Sequence, residues 1–480
     1  MMKFVKFGLL LVSTVAILTG CSNEFLEEPA PTEQVSEDVI FGSRAGVEAY
    51  LSGIHRRARG QFTSTDAAGI NSLYFARSVK GNDIIQANNW FGFDYDNDNR
   101  EPTYRRTVFS WQFPYYVINQ ANTLINGVEA STILSEQDKA ELAAQGKVLR
   151  AFYYFQLSLE FQQTYYLDPS APAPPIYLEL SLEGKPMSTM QEMYDLILSD
   201  LESAVEVLPS SRLGKSYIND KVAYGLLARV YQVMAGNVAG SSYWQKAEEA
   251  ANAAYGGNVA AALAPARYGE GFDDISNPEW IWGMPQSGDQ SNYYWNAPSA
   301  FSDHNAPAYY ATYVNATFVE EFSETDVRNT FVNLYNHPSG DWREYVTTKF
   351  TFAFDSDIVI MRTAEMILIE SEALYWQGNV VDAQDLLYAL QLNRDPNAVK
   401  SSNSGQALLE EILLERRKEL YMEMGVEWFD AKRLSRGIAR DAHHRIVKTL
   451  EPNDKRFYLK VPQAEIDAND AIDDSVNANR

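Results

Sequence analysis

The chain has 480 residues, with 40 basic and 64 acidic side chains and a formal net charge of −24. Hydrophobic residues make up 46% and aromatic residues 13% of the sequence, which is enough for a large buried core and excludes disorder throughout. The negative charge argues against nucleic acid as a partner, because neutralising phosphates requires a basic surface. The single cysteine excludes an internal disulfide and a thiolate metal cluster.

The first 20 residues have the pattern of a secretory signal peptide. Two lysines precede a mostly apolar run at 7–18, which is too short to cross a bilayer. The run ends in Leu18-Thr19-Gly20-Cys21, which resembles the bacterial lipobox, where the cysteine becomes the lipidated first residue of the mature protein. We therefore expect lipidation of Cys21, with the acyl chains as the membrane anchor.

Residues 21–36 contain acidic residues and prolines, which predicts an extended, solvated tether after the lipid. An acidic patch at this place resembles a surface-export signal of some Gram-negative bacteria, although solvation alone explains the same residues equally well. No later stretch has the uninterrupted apolar length of a membrane span. The sequence thus predicts a protein that sits on a membrane without crossing it.

Helical periodicity dominates residues 37–480, which we predict to fold as a single domain. Apolar residues recur at a spacing close to 3.6 in several segments, and Asn219 and Gly256 stand where an N-cap and a helix end are expected. The predicted helices are 136–161, 188–208, 219–234, 242–255, 361–376 and 380–393.

Several neighbouring helices resemble tetratricopeptide hairpins. Small and large residues alternate where paired helices would pack closely, at Ala373, Leu374, Gly378, Ala383 and Leu387. No strict repeat runs through the chain, and long insertions separate the pairs. The predicted fold class is therefore mostly α: a tetratricopeptide-like scaffold of helical hairpins with long, irregular, aromatic-rich loop insertions.

These insertions lie at about 81–104 and 256–349 and are rich in Gly, Asn, Asp, Pro and aromatic residues. Short strands are expected in and near the second insertion, at 279–284 and 345–354. Loops of this length in a compact domain usually have a function. We therefore searched the two insertions for binding residues.

Aromatic residues cluster beside Asn and Asp in both insertions, and further tyrosines follow at 309, 310 and 313. Flat rings match the apolar face of a sugar ring, and neighbouring amides and carboxylates match its hydroxyl groups. The alternative is that these aromatics pack beneath the loops as small cores of their own. The candidate ligand-binding residues are Asn82, Asp83, Trp90, Phe93, Asp94, Tyr293, Tyr294 and Trp295.

Two motifs resemble phosphate and metal sites but lack their required residues. Gly214-Lys215-Ser216 resembles the end of a phosphate-binding loop, but Pro209 stands where the leading glycine belongs. Aspartates alternate at 94, 96 and 98 as in a calcium loop, but Asn99 replaces the obligatory glycine. An EF-hand is excluded, while an incidental calcium site in this loop stays possible.

Catalytic signatures are also missing from the sequence. The five histidines form no i,i+4 ligand pair, and we interpret His443-His444 as a solvated pair. No G-x-S-x-G motif occurs, and a carboxylate pair for glycoside hydrolysis has no recognisable sequence pattern. We predict no catalytic residue, no metal site and no cofactor, and therefore a protein that is not an enzyme.

The C-terminal third carries E-R-R-K-E-L at 415–420, E-M-G at 423–425 and W-F-D-A-K-R at 428–433. This block resembles the E-R-R-x-E-L … E-x-G-x-x-W/F-F-D-L-x-R block of the SusD/RagB family. Segments at 148–155, 362–374 and 461–469 resemble further family motifs. Val426 and Glu427 depart from the usual basic pair, and Ala431 replaces the usual Leu. We interpret Arg416, Arg417 and Asp430 as a structural charge network between helices.

The resemblance implies a mostly helical fold with tetratricopeptide-like pairs and a lipid-anchored outer-membrane protein that faces the cell exterior. Family members bind glycans, or in some cases peptides, and act as a lid on a SusC-like, TonB-dependent outer-membrane transporter. The family's binding loops correspond loosely to 82–95 and 293–295. The predicted function is thus non-catalytic capture of a nutrient, with an oligosaccharide favoured over a peptide. A surface glycoside hydrolase and a purely structural partner of the transporter are the alternatives.

Overall fold

The structure, a computed structural model, describes residues 37–59, 65–87, 90–97, 101–286, 301 and 311–480. The predicted signal peptide, the tether, Cys21 and the aromatic group Tyr293, Tyr294 and Trp295 lie outside the described residues. Among the helices of the described part, none combines the length and the hydropathy that a membrane span requires.

Helices dominate the described chain, as predicted. Those of eight or more residues are α1 (Arg44–Ala58), α2 (Gly69–Ser78), α3 (Arg105–Ala130), α4 (Glu136–Phe161), α5 (Met190–Val205), α6 (Asp220–Ala235), α7 (Ser242–Tyr255), α8 (Thr363–Trp376), α9 (Val380–Arg394), α10 (Gln406–Glu419) and α11 (Val426–Arg433). Shorter α-helical segments are Glu37–Ile40, Gly92–Asp96, Val259–Ala262, Ala316–Val319 and Gln463–Ala468, and 3-10 turns occur at Thr65–Ala67, Tyr165–Leu167, Pro265–Glu270, Lys455–Phe457 and Asp474–Asn477.

Local capping explains why several predicted helix limits are correct. The side chain of Ser135 accepts the N–H of Asp138 at the start of α4, and Asn219 caps α6 in the same way. Gly256 ends α7 in the left-handed conformation, with φ of 87°. Helix α8 begins at residue 363 rather than 361, because the preceding residues are held in a strand.

The helices from α3 to α9 pack in chain order, each against the next. Close approach depends on small residues: a Cβ on Gly146 of α4 would lie 2.7 Å from the Leu124 Cδ2 atom of α3. Ala373 and Ala383 are fully buried where α8 meets α9. This succession of hairpins confirms the tetratricopeptide-like scaffold.

The strands form five short antiparallel pairs in the described part of the chain. The pairs are β1 (Ile84–Gln86) with β5 (Thr312–Val314), β2 (Pro172–Ala173) with β3 (Ser188–Thr189), β4 (Trp280–Met284) with β8 (Ile358–Arg362), β6 (Phe331–Val332) with β7 (Val346–Thr347), and β9 (Ile438–Ala439) with β10 (Thr449–Leu450). The prediction at 279–284 is confirmed as β4. The longer strand predicted at 345–354 is limited to two residues, because its partner β6 is only two residues long.

The two insertions fold against each other rather than separately. Strand β1 of the first insertion pairs with β5 of the second, with Ile85 opposite Tyr313. Side chains from both insertions then share a hydrophobic cluster that is separate from the main helical core. This insertion cluster includes Ile84, Ile85, Phe91, Tyr95, Phe301, Tyr313, Val314, Phe318, Phe322, Phe331 and Val346, and it extends to Phe75 and Val79 of the scaffold.

A buried charge cluster lies where the C-terminal helices meet the second insertion. The Glu419 carboxylate at the end of α10 lies 2.8 Å from Arg362, 2.9 Å from Arg394 and 3.2 Å from Arg328. Glu279 adds a second carboxylate, 2.7 Å from Arg394. Burial alone would raise the pKa of Glu419, but the three guanidinium groups lower it well below its ordinary value.

A second network confirms the structural role predicted for the charged C-terminal block. Arg416 of α10 lies 2.8 Å from Asp430 of α11, and Arg433 bridges Asp430 at 2.9 Å to Glu372 of α8. Arg417 does not join this network. It forms an ion pair with Asp83 and so ties α10 to the first insertion.

The first insertion is held at its base by contacts around Asn82. The Asn82 N–H donates to the Glu427 carboxylate at 2.6 Å, and the Asp83 N–H donates to the same oxygen at 3.2 Å. The Asn82 carbonyl accepts from the Asn315 amide at 2.9 Å and from the His444 ring at 2.8 Å. Burial, reinforced by the Asp83 carboxylate, raises the pKa of Glu427 to about 7.

The prediction of a solvated His443-His444 pair is wrong for His444. Its side chain is buried, and its Nδ1 and Nε2 atoms contact the Tyr95 hydroxyl at 2.9 Å and the Asn82 carbonyl. Since a carbonyl only accepts, Nε2 carries the proton and Nδ1 accepts from Tyr95. Burial lowers the pKa of His444 to about 4, so the ring is neutral near pH 7.

We expect Glu419→Ala to lower the free energy of unfolding by about 3–5 kcal/mol, because three buried arginines lose a shared carboxylate. Urea unfolding of both proteins measures this difference. The matched control is Glu410→Ala on the same helix, whose ion pair with Arg436 is exposed and should contribute less than about 1 kcal/mol. Equal losses in the two variants would contradict the assignment of the cluster.

The neutral His444 ring also makes stability depend on pH. The pKa of His444 is lower in the folded than in the unfolded protein, so its contribution to the free energy of unfolding is complete above pH ~6.5. This contribution, roughly 3 kcal/mol, is lost as the pH falls from there through ~4. We expect His444→Gln to show a flatter pH dependence of unfolding than the unmodified protein between pH 7 and 4. His443→Gln is the control and should keep the original slope; an unchanged slope in His444→Gln would refute the role of this ring.

Candidate ligand-binding site

The polar candidates of the first insertion are engaged inside the protein. Asp83 is buried against Arg417, and Asp94 is buried with an oxygen 3.2 Å from Arg106 Nε. Burial raises the pKa of Asp94, although Arg106 opposes the shift. Asn82 holds the base of the loop through its backbone, as described above. The Asp83 and Asp94 side chains and the Asn82 backbone therefore position the loop.

The aromatic candidates of the first insertion lie at the surface. The helical turn Gly92–Asp96 directs Phe91 and Tyr95, four residues apart, into the insertion cluster and leaves Phe93 55% exposed. The Phe93 ring meets Tyr104 edge-on at 5.6 Å between centroids. Trp90 is half-buried on the insertion cluster, and the Arg105 guanidinium lies 5.0 Å from its ring centre.

A second group of aromatic residues comes from the second insertion. The ring of Tyr313 in β5 meets Trp342 edge-on at 5.2 Å and His337 at 6.4 Å. Trp342 is half-buried against the insertion cluster, with the Arg343 guanidinium 5.4 Å from its ring centre. Arg343 in turn pairs with Asp341 at 2.8 Å, and these bonds lower the pKa of Asp341 to about 2.

Trp342 is not among the binding residues predicted from the sequence, although the composition of the residues before it could have indicated it. The segment 333–342 contains asparagines, a glycine and an aspartate next to aromatic residues, the same composition that marked the first insertion. What the sequence does not contain is the pairing of β1 with β5. That pairing places Trp90 and Trp342 on one hydrophobic cluster although they are far apart along the chain.

The candidate site presents aromatic rings, and the described aspartates near them form ion pairs. Two aspartates of the calcium-like loop are used in ion pairs, Asp94 with Arg106 and Asp96 with Arg445 at 3.1 Å, and the third, Asp98, lies outside the described residues. Among the described residues, no group of three or more His, Cys, Asp or Glu side chains is arranged to hold a metal ion. The arrangement suits stacking against an apolar face, with polar groups beside the rings.

Two family models match the chain, and together they span more than half of it. The first, described as SusD-like and starch-binding associating with outer membrane, matches residues 24–232. The second, described as the SusD family, matches residues 323–477.

Known proteins are similar to this chain in sequence or in fold. A SusD-like protein of Bacteroides ovatus is 25% identical over 242 residues, which cover 48% of this chain and only 40% of that protein. A SusD-like carbohydrate-binding protein from Bacteroides vulgatus has a TM-score of 0.78 at 26% identity, covering 90% of this chain and 98% of the other. A SusD superfamily protein from Bacteroides thetaiotaomicron has the same TM-score at 22% identity, with 90% and 99% covered.

The family models cover most of the hairpin scaffold and the charged C-terminal block, and the solved structures share the fold along about 90% of the chain. The chain belongs to the SusD/RagB family.

Proposed function

We propose that this protein is a non-catalytic, cell-surface lipoprotein that captures oligosaccharides and passes them to a TonB-dependent outer-membrane transporter. The observation that carries the proposal is the shared insertion cluster, on which Trp90 and Trp342 of two distant segments pack half-buried, with the exposed Phe93 in the same loop as Trp90. The carbohydrate-binding protein from Bacteroides vulgatus, with the same fold and 26% identity, supports the ligand class.

The aromatic rings set the scale of the affinity. A sugar ring that buries roughly 80 Å² of apolar surface against one aromatic ring gains ~2 kcal/mol. Two or three such contacts, less the cost of ordering ligand and loops, correspond to dissociation constants in the micromolar to millimolar range. Capture for transport suits this range, because a bound ligand must also be released.

The anchor and the transporter complete the proposal. Cys21 is the lipidation site after removal of 1–20, residues 21–36 are the tether, and 37–480 form one folded domain on the outer surface of the outer membrane. The family description includes association with the outer membrane. In this arrangement the tether lets the domain close on the SusC-like transporter as a lid and reopen.

We expect Trp90→Ala and Phe93→Ala each to weaken oligosaccharide binding by about tenfold, because each removes one stacking surface. The measurement is isothermal calorimetry of the purified full-length protein in detergent with maltoheptaose, xylohexaose and mannohexaose. Phe354→Ala is the matched control, since Phe354 is as exposed as Phe93, at 55%, and also meets a neighbouring ring, Phe352.

Three results of this experiment would contradict the proposal. The first is equal affinity in the Trp90→Ala, Phe93→Ala and unmodified proteins. The second is binding of peptides with no binding of glycans. The third is the release of shorter sugars during the titration, which would indicate a hydrolase.

We expect Cys21→Ser to abolish incorporation of radiolabelled palmitate and to release the protein from the outer-membrane fraction, because the acyl chains are the proposed anchor. The unmodified protein, extracted in mild detergent, should carry the label and co-purify with a large TonB-dependent barrel. Replacement of the neighbouring Ser22 by Ala is the control for the membrane location. Retention of the label by Cys21→Ser would refute the anchor, and an unmodified protein that purifies without a barrel would refute the lid.

A further inference from the structure

Helix α3 carries a surface with no charged residues. Residues 107–128 contain no Asp, Glu, Lys or Arg, although charged residues make up 22% of the whole chain. The side chains that reach the surface there include Gln112, which is exposed, and Tyr115, Tyr116 and Asn119, which are half-buried. A solvated helix face normally carries charges, so aromatic and amide groups in their place indicate a contact surface.

The segment after β2 forms the opposite wall of a groove along this surface. The Tyr115 hydroxyl donates to the Pro175 carbonyl at 2.6 Å, and the buried Asn122 amide donates to the Tyr177 carbonyl at 2.9 Å. The Tyr154 hydroxyl also donates to that carbonyl, at 2.8 Å. These bonds hold the wall in place, so the groove is preformed.

The groove consists of two adjoining cavities. One, of about 360 Å³, lies between α3 and the 177–181 wall, and the other, of about 430 Å³, lies between α1 and α3. Tyr116 lines both cavities. Preformed clefts of this size and mixed lining are typical of small-molecule sites. We call the surface of Gln112, Tyr115, Tyr116, Asn119 and Tyr177 the α3 groove.

The groups in the first cavity select the chemistry of its ligand. Among the described residues, no lysine or arginine lines this first cavity, whereas Arg57 lines the second cavity and its Nε donates to the Tyr116 hydroxyl at 3.2 Å. Of the two carboxylates in the first cavity, Glu465 is already used: Trp111 Nε1 and the Asn469 amide donate to its two oxygens at 3.1 Å. The other carboxylate among the described lining residues is the exposed Glu179. An anionic ligand finds no cationic partner among the described residues of the first cavity, whereas an uncharged ligand with apolar faces and hydroxyl groups matches the rings and amides.

We propose that the α3 groove is a second oligosaccharide site, which takes an uncharged sugar chain and is separate from the loop site at Trp90. The inference rests on the proposed function, since it assumes that the ligand of the protein is a glycan. The two sites are arranged along one helix. Arg105, which lies over Trp90, has Gln112, Tyr116 and Asn119 on the same helical face.

This arrangement predicts cooperation between the sites on long chains. Tyr116 lies roughly 16 Å along the axis of α3 from Arg105, at 1.5 Å per residue. A chain long enough to contact both sites binds more tightly than a short one, because its second contact is intramolecular. The α3 groove thereby extends the capture surface from the insertions onto the helical scaffold.

The test removes the loop site first and then the groove. Calorimetry is carried out on the full-length protein in detergent with maltoheptaose, xylohexaose, mannohexaose and, as the anionic probe, hexagalacturonate. We expect Trp90→Ala to keep residual binding of at least one neutral probe, and Trp90→Ala/Tyr116→Ala to lose a further factor of about ten. Trp90→Ala/Tyr116→Phe should keep the residual binding, because the ring remains.

Matched controls and outcomes separate this inference from the proposed function. Trp90→Ala/Tyr388→Ala, in which a half-buried tyrosine of α9 is replaced, should bind like Trp90→Ala alone. Equal residual binding in the Tyr116→Ala double variant, or a preference for hexagalacturonate, overturns the second site and leaves the loop site standing. Loss of barrel co-purification in Tyr116→Ala with unchanged glycan binding also overturns it, since the groove would then be a protein contact. No binding of any probe by the unmodified protein overturns both proposals.

Discussion

Helix α10 forms buried or partly buried ion pairs with each part of the fold that positions the candidate site. Glu415 pairs with Arg328 of the second insertion, Arg416 with Asp430 of α11, and Arg417 with Asp83 of the first insertion. The Glu419 carboxylate forms ion pairs with three arginines: Arg328, Arg362 of β8 and Arg394 of α9. Because an unpaired buried charge is costly, only an arrangement that satisfies all of these groups together is stable. We infer that these pairs specify how the insertions dock on the scaffold rather than add much net stability.

The insertions are long and have little regular structure, so this docking decides where their aromatic residues lie. Glu427 shows how closely the base of the first insertion depends on the C-terminal block. Its carboxylate accepts the N–H groups of Asn82 and Asp83, a task that the basic side chain usual in the family is unable to perform. The departure from the family pattern is thus part of the local hydrogen bonding of this chain. The loop it anchors then presents Trp90 and Phe93 at the surface.

In the candidate site the polar residues hold the loop, and the aromatic residues are left to contact a ligand. Asp83 and Asp94 resemble ligand-binding groups in the sequence, but both are buried in ion pairs that hold the loop. The rings of Trp90, Phe93 and Trp342 remain partly accessible around the shared cluster. Stacking on ring faces tolerates different sugars, because the contact depends on the flat apolar face of the sugar rather than on the positions of its hydroxyl groups. A rigid helical face beside such loops, as in α3, provides a preformed surface at lower entropic cost.

The sequence alone determined helices α4 to α9, most of their limits and their pairing in hairpins, because periodicity, caps such as Asn219 and helix-ending glycines such as Gly256 act over a few residues. It did not reveal α1, α2, α3, α10 and α11. Family motifs determined the fold class for the same reason: they are contiguous. Only the tertiary structure decided that Asp83 and His444 are buried, since their partners Arg417 and Asn82 lie 334 and 362 positions away. It also decided that Trp90 and Trp342 share one cluster, because burial depends on contacts between segments that no local pattern records.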